Sequence, residues 1–327
     1  MNSATDFSQP DPLDGSGLVV VDKPAGMTSH DVVGKLRRIF RTKKVGHAGT
    51  LDPMATGVLV AGIRRGTKFL AHMVAADKTY QATIRLGAAT TTDDAEGDFL
   101  PATTFEDGLN QEQVSVRLSG LSDDDIAAAV ASWTGTVEQV PAKVSAVKIA
   151  GKRAHQRVRE GEDVEIPART VTINQFTVHS IRRGSDDEIG IAFIDIACTV
   201  TCSSGTYIRS LARDIGSDLG VGGHLTKLRR THVGPYGLSD AATLDELADN
   251  PQLSLSLDDA LQRSYPHWQV TEQQATDLSM GKRLPACGLD GVVVAIAPNG
   301  RAIALVTETT GARAEIKTVF VARPSTL

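Results

Sequence analysis

The chain has 327 residues, 41% of them hydrophobic, a formal net charge of −5 and three cysteines. That length and apolar content support a full hydrophobic core divided between two domains, and exclude a disordered chain. The odd cysteine count argues against a disulfide framework, and no apolar run reaches the roughly 20 residues that cross a bilayer, so a reducing, cytoplasmic setting is expected.

Residues 1–16 contain Asp6, Pro10, Asp11, Pro12 and Asp14 without an apolar run, and read as a flexible leader rather than a signal or transit peptide. Leu18 to Val21 reads as a buried strand and Lys23-Pro-Ala-Gly26 as a turn. Ser29 is the predicted N-cap of a helix with Val32, Val33, Leu36, Ile39 and Phe40 as its core stripe, which leaves Lys35, Arg37, Arg38 and Arg41 outward. Residues 46–59, GHAGTLDPMATGVL, set one carboxylate, Asp52, in a glycine-punctuated turn locked by Pro53 and anchored by the apolar segment that follows. An isolated Asp-Pro of this kind is ordinarily a turn or cap residue, but a carboxylate so held is also a pre-positioned nucleophile.

A second helix is predicted after Thr67 on Phe69, Leu70, Met73 and Val74. It is followed by a strand from Thr79 to Leu86 that alternates Tyr80, Ala82, Ile84 and Leu86 on its apolar face. Thr90 to Asp98, rich in glycine and acid, reads as a loop, and Ser122 caps a helix running to Thr134. In 194–202 the period of two places Cys198 and Cys202 on one face with Ile194, Ile196 and Val200, so both thiols read as core fillers rather than metal ligands. Thr206 is the predicted cap of a helix with Ile208, Leu211, Ala212, Ile215 and Leu219 inward and Gly220 as its stop, which puts Tyr207 and Arg209 in an exposed first turn.

Beyond Gly234 the chain turns acidic, then shows strand-like runs at 292–297, 302–306 and 318–321, with Asn299-Gly300 as a hairpin signal. The element order predicts an α+β catalytic domain over 17–250, with a mixed, largely antiparallel sheet flanked by helices, and a small β-rich domain over 251–327. Acid concentrates at 93–98, 123–125, 186–188 and 240–259. Basic blocks at 35–44, 64–68, 148–159 and 227–232 therefore predict an RNA-facing surface despite the negative total.

The string 46–59 closely resembles the catalytic motif of the TruB family of tRNA pseudouridine synthases. Four further strings resemble that family in order: Lys78 to Gly87, Pro141 to His155 (with Ala142 where the family has a second proline), Ser203 to Gly216, and His224 to Pro235. The resemblance spans about 17–240, while the tail resembles a PUA-like module only weakly. It implies Asp52 as nucleophile, Tyr80 stacking on the target base, and Arg209 keeping Asp52 ionised against a burial that would raise its pKa above about 3.9. It also implies Tyr207 and Leu228 in the uridine pocket, Arg229 and Arg230 facing RNA, and His47 holding the opened loop. Lys23 and Lys148 stand as further substrate contacts.

The implied substrate is the flipped-out uridine at position 55 of the tRNA T-loop, without metal or organic cofactor, obligate protein partner or membrane, and a monomer is the default expectation. Attack on ribose, addition to the base and removal of a ribose proton all remain open as the first step. The same surface would serve an RNA-binding folding factor without catalysis, or a synthase acting on ribosomal RNA.

Overall fold

The computed structural model describes residues 15–104, 107–142, 166–186, 190–286, 288–308 and 313–321, and the backbone of 148–149 and 152–153. The chain divides into two compact units, the first formed by its beginning and end (to Pro53, 57–74 and 234 onward) and the second by 54–56 and 75–233. Residues 1–14 of the predicted leader, the body of the Pro141 to His155 motif and Cys287 lie outside the described residues.

The first unit opens with strand β1 (Gly17–Lys23), helix α1 (Ser29–Ile39), strands β2 (Val45–Ala48) and β3 (Thr56–Ile63), and helix α2 (Gly66–Met73). The middle of the chain forms β4 (Lys78–Leu86), α3 (Gln111–Gly120), α4 (Asp123–Ser132), β5 (Gly135–Gln139), β6 (Lys148–Ile149) and β7 (Lys152–Arg153). It continues through β8 (Arg169–Asp186), β9 (Ile191–Cys202), α5 (Ile208–Asp218) and β10 (Gly223–Val233). After Gly234 come β11 (Tyr236–Gly237), β12 (Ala241–Ala242), α6 (Leu244–Asp249), β13 (Leu255–Ser256) and α7 (Leu257–Ser264). The chain closes with β14 (His267–Gln269), α8 (Glu272–Ser279), β15 (Val292–Ile296), β16 (Ala302–Glu308) and β17 (Ala314–Val319).

In the first unit β1 lies between β12, to which it is parallel, and β3, to which it is antiparallel, and β2 pairs with β3. Leu18 to Val21 and Val58 to Ala61 are wholly buried, the near-continuous apolar runs of strands covered on both faces. Helix α2 sits so close that a Cβ on Gly66 would lie 2.0 Å from the Gly17 carbonyl oxygen.

The C-terminal sheet runs β14, β15, β16, β17 around its own core, which includes Val270, Leu278, Leu284, Ile303 and Val306. The predicted hairpin is present: the Gly300 amide donates to the Ala297 carbonyl at 2.9 Å, and Gly300 takes φ +83. Among the described residues the last strand is β17, Ala314–Val319, which begins earlier than the 318–321 run the sequence suggested.

Helix α2 holds this sheet. Arg65 donates to the Phe320 carbonyl, Lys68 Nζ to the Val319 carbonyl at 3.1 Å, and His72 Nε2 meets Thr318 Oγ1 at 2.8 Å. Phe69 packs edge-on against Tyr265 and Phe320. The basic block expected at 64–68 to face RNA is thus partly committed to internal carbonyls.

In the second unit the order β10, β4, β9, β8, β5 is antiparallel throughout, with α5 packed on β10 and β4. Cys198 and Cys202 are buried, as predicted, and burial pushes their thiols up to about 12 and about 11. The acidic stretch after Asp240 caps helices: Thr243 with Glu246 forms a capping box on α6, and Ser256 accepts from the Asp259 amide on α7.

His224 is buried with Nδ1 2.8 Å from the Ala88 carbonyl oxygen, and burial holds its pKa below the ordinary 6.5. The unfolded chain then takes up a proton near pH 6.5 that the folded chain does not, so this group's contribution is complete above that pH and declines as pH falls. Urea midpoints at pH 7.5 and 5.5 should differ less for His224→Gln than for the unaltered chain. Phe69→Ala should cost about 3 to 5 kcal/mol by urea denaturation, since it empties the fully buried seat of the C-terminal sheet on α2.

Candidate active site

Asp52 is held through its neighbours. Ser29 Oγ accepts from the Leu51 amide at 2.9 Å and donates to the Leu51 carbonyl at 3.1 Å. On the other side the Pro53 carbonyl accepts from Lys23 Nζ at 3.2 Å and from the Gly26 amide at 2.9 Å. Lys23 is 0% exposed, and its ammonium also donates to the carbonyls of Pro24 (2.9 Å) and Met27 (2.7 Å).

Two sequence expectations change here. Thr28, not Ser29, caps α1, in a capping box with Asp31, which leaves the Ser29 hydroxyl to grip Leu51. Lys23, expected among the substrate contacts, directs its ammonium to internal carbonyls at the end of β1. His47, half-buried on β2 in register with Ala61, leads through Gly49, at φ +74, into the turn.

The second unit holds the other candidates. Tyr80 is buried on β4, in register with Arg230 on β10 and Val200 on β9. Arg230, expected to face RNA, is 1% exposed, whereas Arg229 is half-buried and donates to Thr56 Oγ1 at 3.3 Å. Leu228 is buried beside them. Lys148 falls on β6, paired with Arg153, and its side chain lies outside the described residues.

Tyr207, rather than Thr206, is the N-cap of α5; the Thr206 hydroxyl instead donates to the Ser203 carbonyl at 2.9 Å. Gln139, buried and unremarked in the sequence, clips the Tyr207 backbone from both sides: its Oε1 accepts from the amide at 2.8 Å and its Nε2 donates to the carbonyl at 3.1 Å.

Arg209 is not exposed, as the helix pattern had implied, but 4% accessible. Its Nη1 donates to the Thr92 carbonyl at 2.8 Å and lies 3.4 Å from Asp94 Oδ2. One turn on, Arg213 bridges Asp93 (3.2 Å) and Asp214 (2.7 Å) and donates to the Val140 carbonyl. The acidic loop is therefore an internal ligand for α5.

Asp93 sits at φ +61, a region aspartate tolerates, while its carbonyl accepts from the Leu225 amide; Asp94 accepts from Thr92 Oγ1 and the Glu96 amide. Burial pushes the Asp93 carboxyl above its ordinary range, although Arg213 and Arg209 oppose it. Among the described residues no three His, Cys, Asp or Glu side chains are grouped to hold a metal ion, and no helix is long and apolar enough to cross a membrane.

A family model described as "TruB family pseudouridylate synthase (N terminal domain)" matches residues 37–208. Models for the "tRNA pseudouridylate synthase B C-terminal domain" and "tRNA Pseudouridine synthase II, C terminal" match 209–263 and 265–323. The chain is 61% identical over 320 residues to a tRNA pseudouridine synthase B of Corynebacterium aurimucosum, covering 97% of this chain and 99% of that protein. It is 52% identical to one from Mycobacterium sp. (strain KMS), covering 96% and 98%.

Among solved structures a Cbf5-Nop10-Gar1 complex contains a chain with TM-score 0.67 at 24% identity, covering 94% of this chain and 85% of that one; the likeness is one of fold. Fold and motif order place the chain among the pseudouridine synthases. Within that class it belongs to the TruB family.

Asp94→Ala should destabilise the protein by about 1 to 3 kcal/mol, because it removes a buried carboxylate that lies 3.4 Å from Arg209 and accepts from Thr92 Oγ1 and the Glu96 amide, and Asp94→Asn by less. Urea denaturation of the two variants measures the difference.

Proposed function

We propose that this protein isomerises the uridine at position 55 of the tRNA T-loop to pseudouridine, with Asp52 as nucleophile. The observation that carries the reading is the bracing of Leu51 and Pro53 by Ser29, Lys23 and Gly26, within a chain of the TruB family. A carboxylate on so fixed a backbone has lost the freedom that a productive approach would otherwise cost.

The reaction breaks the bond between uracil N1 and ribose C1′, turns the base, joins C5 to C1′, releases the C5 proton and leaves N1 protonated. It is redox-neutral and needs a nucleophile and proton transfer. In this reading Tyr80 supplies the stacking ring and Arg209 the cation that favours an ionised carboxylate. Tyr207 and Leu228 line the uridine pocket, His47 holds the opened loop, and Arg229 serves the RNA. The C-terminal sheet is read as the PUA-like module, and the enzyme as a monomer.

The test is tritium release from a T-arm hairpin labelled at uracil C5. The intact protein should release tritium, Asp52→Asn should lower the rate by about three orders of magnitude or more, and a hairpin lacking the T-loop uridine should release none. Undiminished release by Asp52→Asn would overturn the nucleophile assignment. Absent release with tight hairpin binding would favour the folding-factor reading.

A further inference from the structure

The sheet of the second unit has a second face. The pleat of β4 directs Tyr80, Ala82, Ile84 and Leu86 into the core and sets Thr79, Gln81, Thr83 and Arg85 opposite. The cross-strand partners of this outer row continue it: Gln81 is in register with Arg229 and Thr199, Thr83 with Lys227 and Ala197, and Arg85 with Asp195.

Two β-bulges enrich it further. The register slips at Thr226 on β10 and at His179 on β8. Consecutive side chains, Thr226 with Lys227 and His179 with Ser180, therefore line the same surface. Gln81, His179, Ser180, Arg182 and Lys227 are all exposed.

Two hollows, of about 510 and 400 Å3, run across these strands and share Thr83, Ala197, Thr226 and Lys227 in their linings, so they form one groove. Its charge is one-sided. The linings carry Arg85, Arg182, Lys227 and Arg229 with a single carboxylate, Asp195, in a chain whose acids outnumber its bases by 39 to 34.

That carboxylate is already doubly engaged: Arg85 contacts it through Nε (2.7 Å) and Nη2 (2.9 Å), and Arg182 through Nη2 (2.8 Å). Burial alone would push Asp195 up, but these hydrogen bonds outweigh burial and hold it below its ordinary range, so it stays anionic and fixes both guanidinium groups. Phe193 stacks under Arg85 at 3.8 Å from its ring centroid and helps hold it flat.

We infer that this outer face is a second RNA-binding surface, which takes the phosphate and 2′-hydroxyl backbone of an A-form RNA stem. Charge complementarity selects a polyanion, and the Thr, Ser and Gln groups between the cations suit 2′-hydroxyls. No Phe, Tyr or Trp among the described residues lines the groove, which disfavours single strands held by base stacking. Its edge reaches Leu228 and Arg229 of the candidate site, and its occupant, a duplex without a target uridine, goes beyond the proposed isomerisation.

The probe is a 16-base-pair blunt RNA duplex with no loop and no target uridine, titrated against the full chain at several salt concentrations, beside a DNA duplex of the same sequence. Lys227→Ala/Arg182→Ala should bind the RNA duplex about tenfold more weakly, with the salt slope reduced by about two, and Lys227→Ala alone, at an exposed position, should reduce it by about one. Thermal melting checks that both variants remain folded.

Unchanged affinity and slope in the variants, or no duplex binding by the unaltered protein, would overturn the proposal. Equal losses with the DNA duplex would overturn the assignment to RNA. Because the duplex carries no reacting base, this result stands apart from the tritium assay, so failure of either reading is visible separately.

Discussion

Lys23 brings an ammonium group to a fully buried position at the end of β1 and surrounds it with three carbonyl oxygens, one of them that of Pro53. A buried amine without such partners would be costly, so the turn at 24–27 and the chain at Pro53 must adopt the shape that supplies them. Hydrogen bonds to a charged donor contribute about 1.5 to 3 kcal/mol each, enough to make the geometry of the Asp52 turn part of the folding of the first unit. Ser29 completes the constraint from the first turn of α1, and it can do so because Thr28 and Asp31 cap the helix instead.

In the second unit the equivalent constraint is electrostatic. Arg209 and Arg213 lie one helical turn apart on α5, and each reaches a carboxylate of the loop that follows β4. That loop carries an acid run whose composition suggests a solvated connector, yet Asp94 is buried and held by Thr92 and the Glu96 amide. The helix positions the arginines, and the loop sets what surrounds them. Part of the negative total is therefore internal, which is why net charge is a poor guide to where this protein meets RNA.

Much of the local architecture was legible in the residues. β1, the helix opened by Ser122 and the Asn299-Gly300 hairpin follow from apolar runs, capping chemistry and the φ that glycine permits. The cap of α1 is Thr28 rather than Ser29 because Asp31 stands at the capping-box spacing from Thr28, whereas Val32 stands there from Ser29. The exposure assigned to Arg209 failed for a different reason. Helical periodicity describes a face of α5, and the loop that covers this face lies more than a hundred positions earlier in the chain.

The sequence by itself determined the family motifs, the carboxylate at Asp52, the α+β order of elements and the pairing of small residues with tight turns, since these depend on neighbours within a few positions. Tertiary structure decided which charges are taken up by protein groups and which stay open: that Lys23 braces a turn, that Asp94 meets Arg209, that Arg65 and Lys68 reach the carbonyls of Phe320 and Val319, and that Lys227 shares an open face with Arg182. A charged side chain reads the same in sequence whether it faces water or a partner. What distinguishes the two is desolvation, and desolvation is set by segments distant in the chain that fold over it.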